Sequence, residues 1–374
     1  MISISNFQDI LFSFVSLTNS QELASKFLPP SIFLPKVFVP RLRHGAGISM
    51  DEAAELLKNI PSLASKPWTA YWKTIGLEFE SKENYRAAAM SYIMGCFPKE
   101  DVAWKDEINE LKRKSFQKWC KQVGAPFEEK IVETKLGKIR YYLCKPHNMN
   151  GRSPVTIFLN GLEGSAEEFA FPLHKYLNEG TGFAALSIPG SADYESPMTP
   201  ESDQSLKYVI DDIVKQPWVD SEKLGMVGFS FGAYWTLICA KTDSRIKFSI
   251  CNGTPLNRTF NPQRSFGLNP VISHALLCMF RLKHPFQLIS RIHKLADRAK
   301  KLQHIKSGPL LAMNGDCDTI VDPRDTHELG QVSPHKLIWL KNDDHCGLFH
   351  YDRMVSIIVA WTKRSLKGIS DKPD

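Results

Sequence analysis

Between Lys223 and Cys239 the chain reads K-L-G-M-V-G-F-S-F-G-A-Y-W-T-L-I-C, and this stretch restricts the fold most tightly. Leu224 to Val227 is a short apolar run of strand type, and from Ala233 the residues Trp235, Leu237 and Ile238 continue with helix-forming character. Between them, Gly228-Phe229-Ser230-Phe231-Gly232 is Gly-x-Ser-x-Gly at a strand-to-helix junction. Such a turn strains its central residue and projects that side chain clear, while the flanking glycines let strand and helix pass closely. The bland reading is a glycine-flanked serine that caps a helix. The junction favours a nucleophile at Ser230.

A serine hydroxyl is a poor nucleophile at neutral pH, so it needs a general base, and the base needs an orienting acid. In a sheet with such an elbow the partners follow in the order Ser, acid, His, each on a loop after a strand. The strand-like run Pro309 to Met313 is followed by Asn314-Gly-Asp-Cys-Asp318-Thr-Ile-Val321, and Lys336 to Leu340 by Lys341-Asn-Asp-Asp-His345. Asp318 and Asp316 compete as the acid. Asp318 is preferred because its Gly-x-x-Asp-x-x-Val setting resembles the acid loop of α/β-hydrolases. His345 is the histidine in the loop directly after the last strand, whereas His335 precedes that strand and His350 is expected inside the next helix. Oxyanion donors are expected from the backbone N–H of Phe231 and, in the loop after Val155 to Leu159, from that of Leu162.

The rest of the chain is organised in two parts. Residues 1–125 read as an all-helical N-terminal domain serving as lid and dimer contact. Phe7, Ile10, Leu11, Phe14 and Val15 have helical spacing, and then Pro29, Pro30, Pro35 and Pro40 interrupt the chain. Ser49-Met-Asp-Glu52 is a capping-box pattern opening a helix to Ile60. Further helices are expected over Trp68 to Phe79, from Tyr85 through Ile93, and over Lys99 to Val123. Their aromatic stripes read as packing core, not a cofactor box. Residues 126–374 begin with two strands around a Leu136-Gly137 turn and then alternate strand and helix. That alternation argues for a mostly parallel central sheet with helices on both faces. Between Thr254 and Gly308 it lapses into a helical segment expected to be a cap insertion.

Composition excludes several other classes. The 374 residues carry a net charge of +7, but the basic clusters lie in helix-like stretches mixed with acids, and no nucleic-acid motif accompanies them. Eight cysteines without a C-x-x-C pair suit a reducing, cytoplasmic setting. No run approaches a membrane span, no histidine spacing implies a metal, and no Gly-rich phosphate loop implies a nucleotide. The expected partner is a small-molecule substrate, with no cofactor, and the expected assembly is a homodimer.

The Ser230, Asp318, His345 order resembles the α/β-hydrolase superfamily. The helical N-terminal region, together with N-G-L-E-G-S-A-E-E-F at 160–169, looks like a narrower group within it. That group contains the fermentation–respiration switch protein, 2,6-dihydroxypseudooxynicotine hydrolase and the "yellowish-green" hydrolases that shorten polyketides. A bacterial member trims an aromatic polyketide in anthraquinone synthesis. The pseudooxynicotine-type pattern G-G-L-E-S, carried over, marks Glu163 as a candidate active-site acid, with a solvated turn carboxylate as the alternative. This chain differs in having Asn160 for the first glycine and Gly164 for the serine, and Ile188-Pro-Gly-Ser-Ala-Asp193 where many hydrolases carry Asp-x-Pro-Gly-x-Gly. The resemblance implies hydrolysis of a carbon–carbon bond flanked by carbonyls, in a β-dicarbonyl or polyketide-like substrate that could be carrier-protein-bound, with cyclisation after trimming as a further expectation. A general carboxylesterase is the first alternative, since the same triad serves it. A catalytically silent binding or regulatory protein is the second.

Overall fold

The computed structural model describes residues 30–60, 65–97, 103–147, 151–173, 180–261, 270–302, 308–332 and 336–370. They fall into two compact units. One comprises the residues up to Trp119 together with Pro197–Thr199 and Phe260–Ala296, and the other Cys120–Ser196, Pro200–Thr259 and the chain from Asp297.

The first unit is helical. Its elements are α1 (Pro30–Ala46), α2 (Met50–Lys58), α3 (Ser65–Ser81), α4 (Tyr85–Cys96), most of α5 (Ala103–Gln122) and the helical chain between Pro270 and Ala296. Ser49 caps α2 as its spacing predicts, its hydroxyl accepting from the N–H of Glu52 at 3.1 Å. The prolines behave differently from expectation: α1 runs unbroken through Pro35 and Pro40. Pro30 opens the helix where no N–H is needed. Further on, Phe38, Leu42 and Ala46 recur every fourth residue and are all buried, so packing of that face outweighs the lost hydrogen bonds. The apolar spacing at Phe7 to Val15 lies outside the described residues.

The C-terminal end of α4 is buried, and its carbonyls would be orphaned without outside donors. Trp68 Nε1 donates to Met94 O at 2.7 Å and Thr69 Oγ1 to Gly95 O at 2.7 Å. The ammonium of Lys105, itself buried, reaches Thr69 Oγ1, Gly95 O and Phe97 O at 2.8, 3.0 and 3.2 Å. A cation at the negative end of a helix is the favourable polarity.

The second unit is built on one eight-stranded sheet. Its strands are β1 (Phe127–Thr134), β2 (Gly137–Cys144), β3 (Ser153–Leu159), β4 (Gly182–Leu186), β5 (Val219–Phe229), β6 (Ile246–Asn252), β7 (Leu310–Gly315) and β8 (Lys336–Leu340). The order across the sheet is β1-β2-β4-β3-β5-β6-β7-β8. β1 and β2 pair antiparallel, as do β2 and β4, and every other pairing is parallel. All residues of β4 and β7 are buried, as expected for parallel strands covered on both faces, whereas edge strand β1 has none fully buried. α6 (Ala166–Leu173), α7 (Asp203–Val214), α8 (Phe231–Thr242), α11 (Pro323–Gly330) and α12 (Tyr351–Ser370) belong to this unit. This is the α/β-hydrolase architecture, with helices preceding the sheet.

Ala233 and Leu237 of α8 pack on Cys251 of β6, Leu310 and Ala312 of β7 and Leu329 of α11. Burying each leucine contributes about 1.5–3 kcal/mol, so the start of α8 is held firmly over the carboxyl ends of the strands. The expected cap segment contains α9 (Pro270–Met279) and α10 (Pro285–Leu302). Among the described residues, no helix is long and apolar enough to cross a membrane.

Candidate active site

β5 ends at Phe229 and α8 begins at Phe231, leaving Ser230 alone at the junction with φ 53° and ψ −123°. A non-glycine residue there costs about 1–3 kcal/mol and persists only where its surroundings fix it. The surroundings are close. A Cβ on Gly228 would lie 2.3 Å from Gly232 O, and one on Gly232 would lie 2.3 Å from Asn160 O. Only glycine fits at either position, for want of space. The Ser230 N–H donates to Asn252 O at 2.7 Å, which ties the elbow to the end of β6.

The loop after β3 lies against this serine. A Cβ on Gly161 would stand 3.1 Å from Ser230 Cβ and 3.7 Å from its Oγ. The Gly161–Gly164 turn closes with Gly164 N–H on Gly161 O at 3.2 Å, and it contains the candidate donor Leu162, buried, and Glu163, half-buried. Asn160, where the resembling group has glycine, is fully buried and has a structural task. Its Oδ1 accepts from Ile188 N at 3.1 Å and its Nδ2 donates to Gly161 O at 2.7 Å, fixing the turn to the strand beside it. The Asp193 loop makes a second tie: Asp193 Oδ2 accepts from Ser187 Oγ at 2.5 Å, and Ser187 Oγ accepts from Ala166 N at 3.2 Å, at the start of α6. Sequence reasoning does not single out Glu167. It is fully buried, receives the Tyr142 hydroxyl at 3.0 Å and the Ser165 hydroxyl, and so holds the first turn of α6 to β2.

The two competing acids after β7 separate cleanly. Asp318 Oδ1 accepts the amides of Ile320 and Val321 at 2.7 and 2.9 Å, and its Oδ2 lies 2.7 Å from both Asn314 Nδ2 and His345 Nδ1. Burial alone would raise its pKa, but the charge and hydrogen bond of His345, with the Val321 amide and Asn314, outweigh that and hold it below the ordinary aspartate value. Asp316 instead takes the Asn342 N–H at 2.8 Å and Lys341 Nζ at 3.3 Å, bracing the turn after β8.

His345 opens a 3-10 turn, His345–His350. Burial disfavours its charged form, yet the Asp318 carboxylate more than compensates and raises its pKa well above 6.5. With Nδ1 donating to Asp318, the far nitrogen Nε2 is buried and has no hydrogen-bond partner. His350 falls in this turn, not in α12, and has an acid of its own, Nδ1 lying 2.7 Å from Asp343 Oδ2. His335 lies outside the described residues. Phe231, the other candidate donor, is the first residue of α8, whose first-turn amides lack intrahelical acceptors and point back toward the end of the helix that Ser230 precedes.

Comparisons with known proteins place this geometry in context. The model of the family described as "Esterase FrsA-like" matches residues 74–304. Esterase FrsA of Vibrio cholerae serotype O1 is 22% identical over 287 residues, spanning 71% of this chain and 68% of the relative. Among solved structures, AbyA5 superimposes with a TM-score of 0.72 at 20% identity, over 85% of this chain and 93% of its own. The 2,6-dihydroxy-pseudo-oxynicotine hydrolase does so with a TM-score of 0.73 at 18% identity, over 87% and 95%. At these identities the two structures speak to the fold.

Proposed function

The chain belongs to the FrsA-like esterase family of hydrolases, and from that membership we propose that Ser230 is its nucleophile, His345 its general base and Asp318 the acid that orients the base. The observation that carries the reading is the His345 ring, engaged by Asp318 on one nitrogen and buried without a partner on the other. Nε2 takes the Ser230 proton as Oγ attacks a carbonyl carbon. The oxyanion rests on the backbone N–H groups of Phe231 and Leu162, each worth about 3 kcal/mol of transition-state stabilisation. The tetrahedral intermediate collapses, the scissile bond breaks, and the proton on Nε2 passes to the leaving group. Water, deprotonated by His345, then cleaves the acyl-serine to a carboxylic acid and restores Ser230.

The bond we assign is a carbon–carbon bond of a β-dicarbonyl, of the kind an aromatic polyketide supplies at every second carbon. A carbon leaving group departs only as a stabilised enolate, and the second carbonyl provides that stabilisation. Glu163 supports this reading, because it lies in the same tight turn as Gly161, whose α-carbon abuts Ser230. We give it the task of relaying the proton from His345 Nε2 to the enolate, which becomes the ketone product and leaves His345 neutral for the attack of water. Such a substrate could arrive on a carrier protein, and its trimmed product could recondense in place. The family match favours a second reading, hydrolysis of small carboxylic esters, which uses the same steps with an alkoxide leaving group.

Turnover assays on β-diketones and on p-nitrophenyl esters separate the two readings. Ser230→Ala is expected to abolish both. Glu163→Gln is expected to slow diketone cleavage at least tenfold while leaving ester turnover within twofold. Cleavage of esters with no diketone turnover would leave the esterase reading standing. A homodimer formed through residues 1–125 and a reducing, cytoplasmic setting complete the proposal. A monomer by light scattering would overturn the first, and cell fractionation tests the second.

A further inference from the structure

Cys346, directly after the proposed base, has φ 60° and ψ 2°, a left-handed conformation that a cysteine adopts only under constraint. Two buried asparagines supply the constraint, one from each of two adjacent strands. Asn314, near the end of β7, accepts the Cys346 N–H on Oδ1 at 3.0 Å. Asn252, the last residue of β6, donates Nδ2 to the Cys346 carbonyl at 2.9 Å. The Cys346 thiol turns back to Asn252 O at 3.5 Å. Both side chains are fully enclosed, at 0% exposure, so neither exchanges these partners for water.

Each asparagine also holds a second member of the triad. Asn314 Nδ2 lies 2.7 Å from Asp318 Oδ2, the same oxygen that faces His345. The carbonyl of Asn252 accepts the Ser230 N–H at 2.7 Å. The Asn252 amide cannot turn over, because its oxygen would then face the Cys346 carbonyl. Its Oδ1 is left buried without a partner, a cost that the other end of the amide must offset. Below the ring, a Cβ on Gly253 would stand 2.7 Å from Cys346 Sγ and 3.0 Å from His345 Cε1, so the backbone following β6 is in contact with base and clamp together.

We propose that Asn252 and Asn314 are positioning residues that grip the two ends of Cys346 and thereby hold His345 in register with Ser230 and Asp318. The inference rests on the catalytic reading given above. The two asparagines have different signatures. Asn314 touches the acid, so its loss makes the Asp318 carboxylate more basic and draws the proton of His345 more tightly. Asn252 touches backbone, the clamp and the uncharged Met354 Sδ, at 3.3 Å, so its loss misplaces the ring without altering the charge that faces it.

The test is steady-state kinetics with pH profiles on Asn314→Ala and Asn252→Ala, using whichever ester or diketone the wild type turns over. Folding is checked by circular dichroism and thermal melting. Asn314→Ser and Asn252→Ser serve as second variants if an alanine variant does not fold. Both asparagine losses are expected to lower kcat about 100-fold, the effect of a misplacement on the order of 1 Å, with KM changed much less. The acid limb of the profile is expected to move to higher pH in the Asn314 variant and to stay in place in the Asn252 variant. Folded variants that keep kcat within twofold, with an unmoved acid limb and an inactive Ser230→Ala, would overturn the clamp alone. Turnover by Ser230→Ala would overturn the triad reading and the clamp with it.

Discussion

Asp318 and His345 are joined by a 2.7 Å contact between carboxylate Oδ2 and ring Nδ1, and the charge across that contact sets the pH range of the site. As the proposed base, His345 works only when neutral. The carboxylate raises its pKa well above 6.5, so kcat/KM is expected to fall as pH drops through a midpoint above that value. Asp318→Asn removes the charge. It should move the midpoint down and lower kcat by roughly 10⁴-fold, which a pH-rate profile of both proteins measures. A midpoint unmoved by the substitution would count against the pairing.

The conformation of Ser230 makes stability and activity oppose one another. At φ 53° a serine is strained, and glycine is not. Ser230→Gly should therefore be inactive yet more stable than Ser230→Ala by about 1 kcal/mol, read from urea denaturation of the two. Equal stabilities would mean that the elbow carries no strain.

Gly253 tests how closely the base is packed. Its φ of +67° and the 3.0 Å approach of a Cβ to His345 Cε1 both penalise a side chain. Gly253→Ala should fold with a loss of about 1–2 kcal/mol from the left-handed backbone, and should lose activity through kcat as His345 is pushed off Asp318. Unaltered kcat in a folded variant would show that the ring has room to spare.

In the helical unit, Lys105 is expected to be structural. Lys105→Met leaves the carbonyls of Gly95 and Phe97 and the Thr69 hydroxyl without their shared donor, and should cost roughly 2–4 kcal/mol in urea denaturation. A variant as stable as wild type would show that water can take the place of the ammonium.

Signals confined to neighbouring residues are legible in the sequence alone. The strand expected at Lys336 to Leu340 is β8 to the residue, and that at Val155 to Leu159 ends where β3 ends and starts two residues later than it. Both are apolar runs between turn residues. The elbow is local too, because strand, turn and helix lie within seventeen residues. What the sequence hides is carried by contacts between distant positions. Asn252 meets Cys346 across 94 residues, and nothing around either one announces the other. His350 reads as a residue of the last helix because its pairing with Asp343 depends on a 3-10 turn built from left-handed Cys346 and Gly347. The prolines of α1 mislead because propensity is a local quantity and the burial of Phe38 and Leu42 is not.

All eight cysteines are free thiols, and Cys317 is the exposed one among them, one residue before the proposed acid. It therefore offers a nearly private handle for a fluorescent probe at the edge of the site. The Asp316 carboxylate beside it holds the thiol above its ordinary pKa, so attachment should be slow near neutrality and quicken in alkaline buffer. A dye placed there would report each movement of the acid loop from a position that neither reacts nor supports the triad.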